Sequence, residues 1–250
     1  MKEINPPEVE KSSALKFRIG IPAWASAVSG QAGVRGNVSD IGYISFTNIL
    51  EHLDYVFPGS IAIDDGKWGV LLEGQYVKLS ENFSVPISGP LSGPIGAKIN
   101  PVVGGKVEME QAFADFNVSY KIVGTDKLTI APFIGTRFEY VRIHGSLEGS
   151  GPLSKSLNED GSRAWADPIL GIQAQYQIFK PTAFVAKADV GGFGAASKLT
   201  YQFFAGAQTQ ITRNMYVSAG YRYLSTDYSS DGFAYKVAYQ GPQITFGINF

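Results

Sequence analysis

Ile244-Thr245-Phe246-Gly247-Ile248-Asn249-Phe250 ends the chain with a large apolar side chain on every even position and small or polar residues between. Successive side chains of a strand point to opposite faces, so this stretch carries one continuous apolar face. The same period of two recurs upstream. Leu15, Phe17, Ile19, Ile21 and Ala23 oppose Lys16, Arg18, Gly20 and Pro22. Leu170, Ile172, Ala174, Tyr176 and Ile178 oppose Gly171, Gln173, Gln175 and Gln177. The runs from Leu128 to Tyr140 and from Leu199 to Ile211 alternate without a break. Soluble strands usually span about five or six residues, whereas tilted membrane strands need about 9–11 to cross. The pattern predicts an all-β fold, a closed antiparallel transmembrane β-barrel with its apolar face toward lipid. A soluble β-barrel or sandwich, with that face turned inward, is the alternative.

The connections fall into two length classes. Short turns are expected at Asp64–Lys67, Gly124–Asp126, Lys180–Pro181 and Arg213–Asn214, each with turn chemistry. Longer Gly/Ser/Pro-rich stretches run over 80–105 and 145–163. Short periplasmic turns alternating with longer extracellular loops are the habit of outer-membrane barrels. Counting on that basis gives ten strands if 25–54 is one elaborated loop, with a helical turn near Thr47–Leu53. Splitting the final segment at Gln240-Gly241-Pro242 and counting Gln31–Val38 as a strand gives twelve; eight is the smaller alternative. Residues 1–14 are expected to be a flexible N-terminal segment and 15–250 the barrel domain.

Composition narrows the function classes. The chain has 29 Gly, 16 Phe and 13 Tyr in 250 residues, which suits aromatic girdles and a crowded interior. A net charge of −1 offers no basic field for nucleic acid. With 0 Cys there are no disulfides, thiolate metal sites or cysteine nucleophile. No cofactor motif is present: Asp189-Val190-Gly191-Gly192-Phe193-Gly194 is glycine-rich, but no GxxxxGK or helix follows it. Met1 to Ser13 lacks the apolar core of an export leader. The barrel reading therefore expects a leader that is not part of this sequence, whereas a cytoplasmic protein needs none.

The face opposite the lipid supplies the interior, and its charges are nearly balanced. Lys16, Arg18, Glu73, Asp115, Lys121, Arg137, Glu139, Asp167, Lys187, Asp189 and Arg222 form the candidate polar network. Charges in a confined interior must be paired or hydrated. The same set serves either a packed, salt-bridged core or a water-filled pore without strong ion selectivity. No metal site is expected, because the 2 His are far apart in sequence. His144, near Glu139, Glu148 and Ser146, is the only arrangement suggesting hydrolysis, and an exposed loop-base histidine explains it as well. His52, between Leu50 and Leu53, reads as a partly buried packing residue.

Trp165-x-Asp167-Pro168-Ile169-x-Gly171, Asp189–Gly194, Gly220-Tyr221-Arg222-Tyr223-Leu224 with Asp227-Tyr228, and Gly241-Pro242 carry a resemblance. From about Leu15 to Phe250 the chain resembles a family of Gram-negative outer-membrane β-barrels, mostly uncharacterised. The resemblance implies bacterial outer-membrane localisation and the barrel architecture, but no catalytic residues. Phe246, Ile248 and Phe250 look like the C-terminal signal read by the barrel-assembly machinery. Expected partners are thus outer-membrane lipid, that machinery and small hydrophilic solutes. Asp167 and Asp189 are expected to pair with Arg137, Lys187 or Arg222. The leading functional expectation is a non-enzymatic, structural or passive small-solute pore. A receptor or adhesion scaffold using loops 80–105 and 145–163 is the alternative, followed by a rim hydrolase.

Overall fold

The computed structural model describes residues 15–34, 37–86, 91–92, 98–99, 102–149 and 157–250. The segment 1–14 and the tips of the two long loops lie outside them. In chain order the long elements are β1 (Lys16–Trp24), β2 (Ala27–Val34), β3 (Asn37–Ile44), α1 (Phe46–Glu51), β4 (Leu53–Asp64) and β5 (Trp68–Pro86). They continue with β6 (Val102–Tyr120), β7 (Leu128–Gly149), β8 (Leu157–Phe179), β9 (Thr182–Gly191), β10 (Leu199–Gln210), β11 (Met215–Ser230) and β12 (Phe233–Asn249).

Ten of these strands close an antiparallel barrel. From β1 the ladder runs to β4 and on through consecutive strands to β12, which returns to β1 from Arg18↔Asn249 to Trp24↔Gln243. The final segment is one strand, unbroken at Gln240–Pro242. Several strands outrun their alternating cores: β6 begins at Val102 and β7 ends at Gly149, so much of 80–105 and 145–163 is ladder, not loop.

Turn chemistry fixes the end at which the chain starts and finishes. The Asp65 carboxylate accepts from the amides of Trp68 (2.7 Å) and Lys67 (2.8 Å). Those two amides hold its carboxyl below the usual range. Gly66, at φ +97°, completes the turn in a conformation that favours glycine. Phe250 and Phe17 exchange backbone hydrogen bonds at this same end, called the turn end below.

The burial pattern inverts that of a soluble protein. Phe57 is 72% exposed and Ile134 71%, while Arg137, Asp115 and Asp167 are 0% exposed. A band of bare apolar side chains around a charged interior is what lipid, not water, stabilises. Aromatic pairs mark its edges, with Trp68–Tyr120 (4.8 Å) near the turn end and stacked Tyr55–Tyr76 (5.7 Å) toward the other, the loop end. Among the described residues no helix is long and apolar enough to cross a membrane.

One inward glycine shows how tightly the interior is filled. A β-carbon added at Gly247 would lie 2.2 Å from the Tyr216 ring. Gly247→Val is expected to cost about 1–3 kcal/mol through overpacking, read as a lowered urea midpoint of the heat-modifiable band. Tyr216→Ala in the same chain should recover part of that loss; no recovery would separate the two positions.

The loop-end half of the wall departs from a simple cylinder. Only Lys16–Gly20 of β1 pair with β4, at Asp64–Ser60. Beyond Trp24↔Gln243 β12 exchanges β1 for β2, pairing Ala234–Gln240 with Gly33–Ala27. The β2–β3 hairpin thus extends the wall from the seam, where the twelve-strand reading placed one strand at Gln31–Val38. Leu53–Gly59 of β4 pair with β5 alone, and β3 pairs with β2 alone, among the described residues. Ile21–Trp24 of β1 and Leu53–Gly59 of β4 therefore diverge without a ladder between them, and α1 leads from the end of β3, where Ile44 opposes Val28, to the start of β4.

Candidate functional site

The interior divides into three levels. At mid-height, directly opposed residues of four neighbouring strands place Glu73, Asp115, Arg137 and Asp167 in one row. Arg137 forks onto Asp115 with Nε–Oδ1 at 2.8 Å and Nη2–Oδ2 at 2.9 Å. The same Nη2 reaches Asp189 at 2.9 Å, and Nη1 donates to Thr200 at 3.0 Å. Planar guanidinium geometry permits this division among two carboxylates and a hydroxyl. Lys187 adds a second cation, 3.7 Å from Asp115.

Arg222 continues the layer across the barrel. It donates to Gln202 and Gln243 and pairs with Glu73 at 2.8 Å. Gln202 also donates to Asp115 (3.2 Å) and Asp189 (3.1 Å), which ties the two arginine centres together. Trp24 and Phe113 lie against the Arg222 guanidinium, 4.8 and 5.0 Å from it. These rings form the other side of the waist, so a polar layer is roofed by aromatics.

Below the waist, toward the turn end, lies a cavity of about 790 Å³. Lys16, Arg18 and Lys121 line it, along with Asp64 and several glutamines. Lys121 donates to the Gly66 carbonyl at 2.7 Å. Above the waist lies a second cavity of about 930 Å³, and its character is different. Inward-facing Val56, Val77, Leu79, Met109, Val237 and Tyr239 line it, and α1 contributes Phe46, Ile49 and Leu50. Among the described residues the ion pair within its lining is His52–Glu81, 3.7 Å apart. Beside it, Trp165 stacks on Tyr228 at 4.2 Å within a cluster that also holds Phe233 and Tyr235.

The candidate residues thus separate by level. Asp115, Arg137, Lys187, Asp189, Arg222 and Glu73 meet in the waist, while Lys16, Arg18 and Lys121 line the lower cavity. Glu139 accepts from Thr226 at 2.6 Å, slightly above the main layer. Asp189 pairs with Arg137, but Asp167 instead accepts the Ser197 backbone amide at 2.7 Å and has no ion pair among the described residues. That amide belongs to the bend after β9, where Gly192, Phe193 and Gly194 all have positive φ. Asp167 therefore holds a loop in place.

His144 and Glu139 do not meet: five residues apart on β7, they occupy opposite faces, and His144 opposes Glu108 on β6. His52 is half-buried at the end of α1, its Nδ1 2.7 Å from the Asn48 carbonyl and its Nε2 3.7 Å from Glu81. Phe246, Ile248 and Phe250 lie exposed on the outer face. Parity alone did not single out Thr200, Gln202 and Gln243 in the waist, or the chamber. Val77, Leu79, Tyr235, Val237 and Tyr239 held its signal, being apolar or aromatic residues in the inward register of β5 and β12.

The fold and its polar interior define a transmembrane β-barrel of the outer-membrane type. No protein-family model and no curated protein matches the chain. Among solved structures it is similar to the outer membrane protease OmpT from Escherichia coli, with 9% identity over 97% of this chain and 99% of that one, TM-score 0.52. The translocator domain of the autotransporter NalP from Neisseria meningitidis has 9% identity over 97% and 90%, TM-score 0.42. The toluene transporter TodX of P. putida has 11% identity over 94% and 89%, TM-score 0.34. At these identities the likeness extends to the fold.

Proposed function

We propose that this protein resides in the outer membrane of a Gram-negative bacterium, with its turn end periplasmic, and binds an apolar molecule in the chamber above the waist. It is a non-catalytic binding or uptake barrel. The observation that carries the reading is the layering itself: a 930 Å³ apolar cavity floored by Trp24 and Phe113 over a buried ion-pair layer. A volume near the upper end of small-ligand sites, about 300–1,000 Å³, suits a drug-sized apolar guest. Passive conduction of hydrophilic solutes, the expectation from alternation, requires the Arg137 and Arg222 layer to open. The outward C-terminal residues Phe246, Ile248 and Phe250 support assembly by the barrel machinery, and the resemblance carried by Trp165–Gly171 supports the compartment.

Trp24 supplies the test. In nanodisc-held Trp68→Phe/Trp165→Phe protein, bromobenzene is expected to quench Trp24 emission to a saturating level. Filling the chamber with Val77→Phe and Met109→Phe should weaken that quenching at least about tenfold in apparent affinity, the scale of about 1.4 kcal/mol. Linear, unsaturable quenching indifferent to the filling substitutions sinks the reading.

A further inference from the structure

The apolar chamber is open toward the membrane as well as enclosed by the barrel. Its lining includes inward Val77 and Phe113 together with Ala23, Ile244 and Phe246, which stand on the lipid-facing side of β1 and β12. A wall closed by hydrogen-bonded strands keeps those two faces apart. Here the wall is interrupted: among the described residues Leu53–Gly59 of β4 have no partner on the side of β1, and Ile21–Trp24 of β1 have none on the side of β4. The cavity passes through that interruption.

We propose that this gap is a lateral portal and that its occupant is the acyl chain of an outer-leaflet lipid. The inference rests on the chamber's being an apolar binding site. Three features select a membrane acyl chain over a solute from water. First, the surface is continuous: Ile244 (45% exposed) and Phe246 (59% exposed) belong to the band that lipid tails already cover. Second, the height fits. Eight residues of tilted strand separate Asp64 at the turn end from Val56 at the portal, a rise on the order of 20 Å within a lipid-facing band about 25 Å tall. That places the opening in the leaflet on the loop side. Third, α1 adds Phe46, Ile49 and Leu50 to the lining, and Phe46 (39% exposed) and Leu50 (53% exposed) present bare apolar surface that suits a lipid tail better than water.

The energetics follow from the lining. A methylene moving from bilayer to an apolar chamber gains no hydrophobic free energy, so selection rests on packing against Trp24, Phe113 and Tyr239. The chain slides in from a solvent like itself, whereas a charged headgroup stays at the aromatic edge marked by Tyr55 and Tyr76. The unladdered edges of β1 and β4 border the route. Lipid contact leaves the amides and carbonyls of such edges without partners, which makes the portal the least stabilised part of the wall and the place where it widens.

The experiment reads the same indole. The protein, retaining Trp24 alone, is reconstituted into vesicles of phosphatidylcholine brominated at the middle of one acyl chain. Trp24 is expected to lose most of its emission. A protein retaining only Trp165, inward-facing but outside the chamber, should keep its emission in the same vesicles. Ala23→Phe with Val56→Phe, which narrows the portal, should return Trp24 emission toward the Trp165 level with the heat-modifiable band intact. Trp24 as well shielded as Trp165, or quenching unchanged by the narrowed portal, overturns the proposal. Saturable bromobenzene quenching with no lipid quenching leaves a chamber filled from water and removes only the portal. Failure of both removes the chamber as well.

Discussion

Arg137→Met is expected to be the most damaging single substitution in the barrel, lowering stability by about 3–5 kcal/mol, the cost of breaking a buried ion pair on one side. Arg137 is 0% exposed and satisfies Asp115, Asp189 and Thr200 at once. Methionine preserves much of the volume but leaves two carboxylates facing each other, with Lys187 3.7 Å from Asp115 as the remaining nearby cation. The penalty comes from the orphaned acids more than from the lost attraction. Adding Asp115→Asn and Asp189→Asn to Arg137→Met should therefore restore much of the stability, because the amides have no charge to desolvate. Arg137→Lys should fall between, since an ammonium cannot fork onto a carboxylate while reaching Thr200. The urea midpoint of the heat-modifiable band orders the four proteins. A single Arg137→Met variant as stable as the parent, or a triple variant worse than the single, removes the waist from its central place.

That row of charges also shows where sequence reasoning stopped. Alternation along Leu128–Tyr140 tells which side chains share a face, because lipid requires an apolar residue at every second position. It says nothing of height, since the level at which Arg137 meets Asp189 depends on register and strand tilt summed over two ladders. Gln202 and Gln243 come from still more distant strands, and no local pattern links them. The requirement for alternation also lapses where a strand leaves the hydrocarbon. Glycine-rich stretches such as Val102–Gly105 then look like loop, although backbone pairing with β5 continues there. The β2–β3 hairpin is hidden for a related reason. Gly30, at φ +138°, approaches the backbone of Lys236 so closely that an added β-carbon would lie 2.1 Å from its carbonyl oxygen. A residue chosen for that approach breaks the β-branched and aromatic signature of a strand. The portal is less legible still, because it consists of pairings that β1 and β4 do not make.

The second large effect is electrical. The parent barrel is expected to give no steady current in a planar bilayer, because the 930 and 790 Å³ cavities are separated by one layer of side chains. Arg222 holds that layer on one side, bound to Glu73, Gln202 and Gln243 and covered by Trp24 and Phe113. Arg222→Ala alone leaves Glu73 uncompensated and the aromatic roof in place, so it should destabilise more than it conducts. Arg222→Ala with Glu73→Ala and Trp24→Ala removes the charge imbalance and the larger ring of the roof together. The two cavities then join, and stepwise conductance should appear, with Lys16, Arg18 and Lys121 at the turn-end mouth favouring anions. The reversal potential in a salt gradient reads that preference. Steady conductance in the parent protein means that the waist opens without help, and returns the barrel to the class of passive pores. A silent triple variant with an intact heat-modifiable band places the barrier elsewhere, in the Arg137 centre or the aromatic cluster around Trp165.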